Sequence, residues 1–201
     1  SDRFTDIQKR DEVTLSESGR ALSRRAVEEG SVLLKNDGVL PLKESAKIAL
    51  VGPFADEHEI IGNWAGKGRI EESVTVKEGV ESLLQKNVPY ERGCSWKLFE
   101  TDESGFEEAE HICAQADMIV ACVGEHMMNS GEAHSRADIR IPEIQRKFIM
   151  RLHELEKPLV LVVFGGRPLV LSEIEESADA ILYVWQPGTE GGNGIANLLY
   201  G

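Results

Sequence analysis

The sequence has few cysteines and no long hydrophobic run. Its three cysteines, Cys94, Cys113 and Cys122, form no C-x-x-C pair, and an odd number cannot pair completely within one chain, so we expect reduced thiols in the core. The longest apolar run, Leu159–Phe164, is far shorter than the roughly 18 to 20 residues that span a bilayer, and the first residues show no signal-peptide pattern. We therefore expect a soluble protein, and the cytoplasm and the periplasm both stay open.

Positive charge is also scarce. The 201 residues include 22 basic and 35 acidic side chains, a net charge of -13. Such a chain repels the phosphates of nucleic acids and anionic lipid headgroups, so neither nucleic acid nor a membrane surface is an expected partner. A hydrophobic content of 41% is sufficient for one ordinary domain with a full core.

Short apolar runs rich in β-branched residues indicate the fold class. Because continuous apolarity implies burial on both faces, the runs predict strands of a mostly parallel sheet; they are Lys47–Val51, Met118–Val123, Leu159–Phe164 and Ala180–Trp185. Between them, apolar residues recur at steps of three and four, as in amphipathic helices. A weaker helix is predicted near 74–85 and a strand near Tyr90. The prediction is an α/β sandwich with a flavodoxin-like layout.

The first part of the chain has a different character. Residues 2–18 are highly charged, an amphipathic helical arm is predicted from about Ser16 to Gly30, and residues 31–42 pack apolar side chains around a turn. We interpret residues 1–42 as a linker and helical arm, and residues 43–201 as the sandwich domain. Because the chain has no initiator Met, we expect a fragment of a longer protein.

The loop after Gly124 carries the most chemistry. Each apolar run ends in glycine or proline, and the carboxyl ends of parallel strands share one edge of a sheet, where such folds bind ligands. The loop of residues 125–138 is unusually long and holds two glutamates, two histidines and an arginine. A partly desolvated carboxyl can act as a general acid or base. Glu132, beside Gly131, is the preferred candidate, whereas Glu125 is eligible for the same role or as a structural hydrogen-bond acceptor.

Two other patterns bear on metal and phosphate binding. His126 and His134 with Glu125 resemble a metal set, but no helix fixes their spacing, so no metal is predicted. The glycine-rich segment 62–68 has three residues between its first two glycines, where a phosphate-binding P-loop needs four. Trp64, in this segment, is either an exposed platform for a sugar ring or a buried core residue.

Several segments together resemble the α/β-sandwich domain of glycoside hydrolase family 3, which includes β-glucosidases and β-xylosidases. Their order and spacing carry the resemblance over most of the chain; they are Glu29–Asn36, Ile48–Pro53, Ser130–Ile139, Gly166–Leu169 and Trp185–Gly192.

The resemblance implies a retaining exo-β-glycosidase with its active site between two domains. Glu132 matches the family's acid/base, and the nucleophilic Asp belongs to a preceding (β/α) barrel whose motif this chain lacks. Trp64 matches residues near the outer sugar or the aglycone, and Arg136 and Asp138 are expected to anchor the loop. Implied partners are a β-linked glucoside or oligosaccharide and the barrel of the same parent chain. No metal or organic cofactor is implied.

Alternatives remain at this stage. The domain could hold carbohydrate, or pack against another domain, without catalysing a reaction. A nucleotide-binding flavodoxin-like protein is disfavoured, since Gly52-Pro53-Phe54 after the first strand has no phosphate-binding glycine pattern. The released sugar, glucose or xylose, is not decided by the sequence. The fragment alone is expected to be inactive, because it supplies one of the two carboxyls that retention requires.

Overall fold

The computed structural model describes residues 6–201, and the predicted linker residue Asp2 lies outside this range. In the described part helices and strands alternate after an N-terminal helical pair. The helices are α1 (Ile7–Val13), α2 (Glu17–Gly30), α3 (Val76–Leu84), α4 (Phe106–Ala114), α5 (Glu143–His153) and α6 (Gly191–Tyr200). The strands are β1 (Val32–Asn36), β2 (Ile48–Val51), β3 (Tyr90–Glu91), β4 (Met118–Gly124), β5 (Leu159–Phe164) and β6 (Ala180–Trp185).

The strands form one sheet in the order β1-β6-β5-β4-β2-β3, and every neighbouring pair except β1 and β6 is parallel. The four apolar runs are the buried strands β2, β4, β5 and β6, as predicted. Successive side chains enter opposite cores. Ile119 and Leu161, for example, pack with α4 and α5, whereas Val120 and Val162 pack with α3 and α6. The predicted α/β class with a mostly parallel sheet and covering helices is confirmed.

The helical arm docks on the last helix of the sandwich. Ser16 accepts a hydrogen bond from the Gly19 N–H and begins α2 close to the predicted residue. The buried carboxylate of Glu190, at the start of α6, receives Arg20 at 2.7 Å and Arg24 at 3.1 Å. Two ion pairs therefore hold the arm against the sheet domain.

Two elements were not predicted. Helix α1 lies in the charged stretch that was interpreted as linker, and its N-cap Asp6 accepts from the amides of the first turn. Strand β1 lies in the segment that was expected only to turn, and it pairs antiparallel with β6, Val32 opposite Tyr183. The sheet therefore includes residues from before position 42.

From β2 the chain adds β3 on one side and then β4, β5 and β6 on the other. The gap between β2 and β4 is therefore the topological switch point of the sheet. The loops leaving these strands run close to neighbouring backbone. Gly52 and Gly124 have φ of 99° and 136°, and a Cβ on either would collide with the carbonyl oxygen of Cys122 or Phe164 respectively. Glycine thus allows both loops to leave the sheet side by side at the edge where ligands bind in such folds.

None of the helices in residues 6–201 is long and apolar enough to cross a bilayer.

Candidate active site at the carboxyl edge of the sheet

Two loops enclose an open cleft of about 570 Å³. We call residues 52–75, between β2 and α3, the first loop, and residues 125–142, between β4 and α5, the second loop. Trp64, on the first loop, is 70% exposed, so the alternative of a buried core tryptophan is wrong. Glu132, on the second loop, lies in the same cleft. The structure therefore brings together the two residues that the sequence suggested for the reaction and for substrate binding.

Glu132 lies in a tight turn of the second loop. The His134 N–H donates to the Gly131 carbonyl at 3.2 Å, and Gly131 and Ala133, on either side of Glu132, have φ of 103° and 61°. A side chain at Gly131 would collide with Asn63, so glycine permits the two loops to meet. The Glu132 carboxylate is exposed and has no hydrogen-bond or ion-pair partner among residues 6–201.

A hydrogen bond joins the two loops next to this turn. The side-chain amide of Asn63, in the first loop, donates to the backbone carbonyl of Ser130. The Ser130 hydroxyl in turn accepts from Gln186 Nε2 at 3.0 Å, just after β6. The residue before the Gly131 turn is therefore bonded to both the first loop and the end of the sheet.

Glu125 is a buried ion-pair centre. Its side chain is 0% exposed, and its two carboxylate oxygens accept from Arg136 Nη1 at 2.6 Å and from Arg167 Nε at 3.1 Å. Both oxygens are thus engaged away from solvent. Of the two roles left open for Glu125, this geometry supports the structural acceptor, because both carboxylate oxygens are occupied by arginine donors inside the domain and neither faces the cleft.

The same arginines bind the backbone of the second loop. Arg167 Nη2 donates to the carbonyl oxygens of Asn129 at 2.6 Å and His134 at 3.0 Å, on either side of the Glu132 turn. Arg136 Nη2 donates to the Arg140 carbonyl at 3.1 Å. The role of Arg167 was missed. The available signal was its place directly after β5, a strand next to β4 in the sheet.

Asp138 makes a more local contact than Arg136. Its carboxylate pairs with Arg140, two residues along the chain, at 2.7 Å, and Arg140 also pairs with Glu173 at 2.9 Å. The side-chain hydrogen bond from Arg140 holds the pKa of Asp138 well below its usual range. The result is a surface ion-pair network that joins the end of the second loop to the segment following β5.

The histidines do not form a metal site. Within residues 6–201, no group of three or more His, Cys, Asp or Glu side chains could hold a metal ion. His126 is buried, its Nε2 lies 2.7 Å from the Glu59 carboxylate, and its ring stacks on Trp96 with 3.7 Å between centroids. The backbone carbonyl of His134 accepts from Arg167, as described above.

The chain has the α/β architecture in which ligand sites, where present, lie at the carboxyl edge of a parallel sheet, and its cleft with the free Glu132 carboxylate lies at that edge. A comparison with protein families specifies the class. The family described as "Glycosyl hydrolase family 3 C-terminal domain" matches residues 31–201. The chain therefore belongs to glycoside hydrolase family 3, which confirms the resemblance seen in the sequence.

Individual relatives agree with this assignment. The periplasmic β-glucosidase of Salmonella typhimurium is 39% identical over 90% of this chain, and a β-xylosidase of Formosa agariphila is 29% identical over 94%. A crystal structure of a β-glucosidase from Listeria innocua in complex with laminaribiose superposes with a TM-score of 0.89, at 35% identity over 98% of the chain. The chain spans 27% of the length of each of these relatives.

Proposed function

We propose that this chain is the acid/base-bearing domain of a retaining exo-β-glycosidase and that Glu132 is the acid/base. The observation that carries the proposal is the free Glu132 carboxylate in a cleft that also exposes Trp64. A non-catalytic binding domain would be favoured by a Glu132 carboxylate paired within its own domain, and residues 6–201 offer it no such partner.

The nucleophile belongs to another part of the parent protein. Retention requires a second carboxyl about 5 to 5.5 Å from the acid/base. Among the described residues, no other Asp or Glu lines the cleft. Since the chain spans 27% of its relatives' length, we assign the nucleophilic Asp to a preceding (β/α) barrel, which is also the partner domain. The isolated chain is then inactive.

The proposed reaction has two steps. Protonated Glu132 first gives its proton to the glycosidic oxygen as the bond to the anomeric carbon breaks and the barrel Asp bonds to that carbon. The Glu132 carboxylate then takes a proton from water, whose oxygen displaces the Asp and releases the sugar. Arg167, by binding the backbone on both sides of the turn, keeps Glu132 at a constant position through both steps.

Trp64 is proposed to bind the part of the substrate next to the scissile bond. Its exposed indole is suited to stacking against the apolar face of a sugar ring or an aromatic leaving group. Together with the names of the relatives, this supports a β-linked glucoside, xyloside or oligosaccharide as substrate. If stacking contributes about 0.5 to 1.5 kcal/mol, Trp64→Ala raises KM about two- to tenfold, and Trp64→Phe restores most of the loss.

The acid/base assignment is tested in the full-length parent chain. Glu132→Ala should lower kcat/KM for alkyl glycosides about 10²- to 10⁴-fold, yet spare 2,4-dinitrophenyl glycosides, whose leaving group needs little protonation. Azide should accelerate this variant and yield a β-glycosyl azide. Glu143→Ala, which removes an exposed glutamate outside the cleft, is the matched control. Normal rates of Glu132→Ala on alkyl glycosides would instead favour the non-catalytic binding domain.

A further inference from the structure

His126 connects three segments around the cleft, although the reaction proposed above assigns it no role. Its Nδ1 accepts from the Met128 N–H at 3.3 Å, and its Nε2 lies 2.7 Å from Glu59. Its ring stacks on Trp96, between β3 and α4. We propose that His126, acting with Glu59, is a positioning residue that holds the second loop so that Glu132 meets the glycosidic oxygen. The inference rests on the proposed role of Glu132.

The hydrogen bonds of His126 determine its tautomer. Because Nδ1 accepts from a backbone amide, the ring proton lies on Nε2 and is donated to Glu59. Both ring nitrogens of this buried side chain are therefore paired, and each bonds to a different loop. Residue 126 thus has a fixed orientation rather than a choice of rotamers.

One hydrogen bond of His126 stays within the second loop, and the other reaches the first loop. Met128 belongs to a short 3₁₀ turn over residues 127–129, which is capped by His126 and runs directly into the Glu132 turn. Glu59 lies on the first loop, five residues before Trp64, and is not one of the residues that line the cleft. Its neighbour Ile60 accepts a backbone hydrogen bond from Gly188 at 3.1 Å, which ties this loop to the end of the sheet. His126 therefore ties the turn that leads into the Glu132 segment to the loop that carries Trp64, alongside the Asn63–Ser130 contact.

The position of the second loop matters most for proton transfer from Glu132. A displacement of about 1 Å in a reacting group can lower a rate about 10²-fold, since the proton donor must lie within hydrogen-bond reach of the glycosidic oxygen. Arg167, which also pairs with Glu125, binds the backbone carbonyls of Asn129 and His134. Asn63 and Gln186 hold Ser130, and His126 adds a restraint on the 3₁₀ turn between β4 and the Glu132 turn.

The test compares His126→Ala, His126→Asn and His126→Gln in the full-length parent chain. We expect His126→Ala to lower kcat/KM for alkyl glycosides about 10- to 100-fold and to change it less than about threefold for 2,4-dinitrophenyl glycosides. The Asn side chain can still accept from the Met128 amide, and Gln can still donate toward Glu59, so each should recover part of the loss. Glu59→Ala, at a partly exposed position, should show the same leaving-group dependence if His126→Ala fails to fold.

A double variant separates positioning from general damage. If His126 acts through Glu132, His126→Ala combined with Glu132→Ala should be no slower on alkyl glycosides than Glu132→Ala alone. Equal losses on both substrate types, or a further loss in the double variant, would overturn the inference. If Glu132→Ala itself lacks leaving-group dependence, the proposed function fails; if only the His126 and Glu59 variants lack it, the inference fails and the proposed function stands.

Discussion

Neutralising the buried carboxylate of Glu125 should cost more stability than neutralising a carboxylate in a surface ion pair. Glu125→Gln keeps the side-chain volume but removes the negative charge, which leaves two guanidinium ions beside a neutral amide. Removing one partner of a buried ion pair costs about 3 to 5 kcal/mol. Arg136 and Arg167 are 13% and 22% exposed and can regain some hydration, so we expect the lower limit, about 3 kcal/mol.

A matched control exists in the same molecule. Glu173 also binds two arginines, Arg140 and Arg146, but its side chain is 47% exposed. Glu173→Gln should change the free energy of unfolding very little, because water and salt screen surface pairs. Urea unfolding of the 201-residue chain compares the free energies, and thermal unfolding should show a fall in Tm of about 6 to 12 °C for Glu125→Gln. Equal losses in the two variants would refute the argument that burial determines the cost.

Two further predictions concern titration. Burial would raise the pKa of Glu190, but hydrogen bonds from Asn193 and the α2 arginines outweigh it, and the pKa lies below the usual 4.5. Its stabilising contribution is complete above about pH 4.5 and is lost as the pH falls through the folded pKa, so Glu190→Gln should flatten the acid limb of urea-unfolding stability against pH. Burial raises the pKa of Cys94 and Cys113 to about 12 and also raises that of Cys122. All three thiols should resist Ellman's reagent at pH 8 until urea unfolds the chain; rapid reaction of the native chain would contradict this.

The central strands of the sheet could be predicted from the sequence because a strand that is buried on both faces is a continuous run of apolar residues. Strands such as Leu159–Phe164 lie between two layers of helices, so every residue is apolar and the run marks its own ends. Strand β1 is not buried in this way, so its sequence carries no comparable signal. Three of its side chains are exposed hydrophobics, and its place in the sheet depends on β6, far along the chain.

The candidate site divides in the same way. Glu132 and Trp64 could be selected from loop length, flanking glycines and the family resemblance, and the fold then explains their proximity. The supporting contacts were not predictable from local sequence. Whether Glu125 is free or clamped depends on Arg167, 42 residues away, and the partner of His126 lies on a loop 67 residues earlier. Only the packing of the strands brings these groups within hydrogen-bond distance.

The pairing of β1 with β6 imposes an order on biosynthesis. Tyr183 is made roughly 150 residues after its partner Val32, which at about 5 to 20 residues per second is a delay of about 8 to 30 s. During that time β1 has no strand partner, and its backbone and exposed apolar side chains can associate with other nascent chains. Strand β1 is thus made before the other strands of the sheet but can join it only after β6, the last strand, has been made.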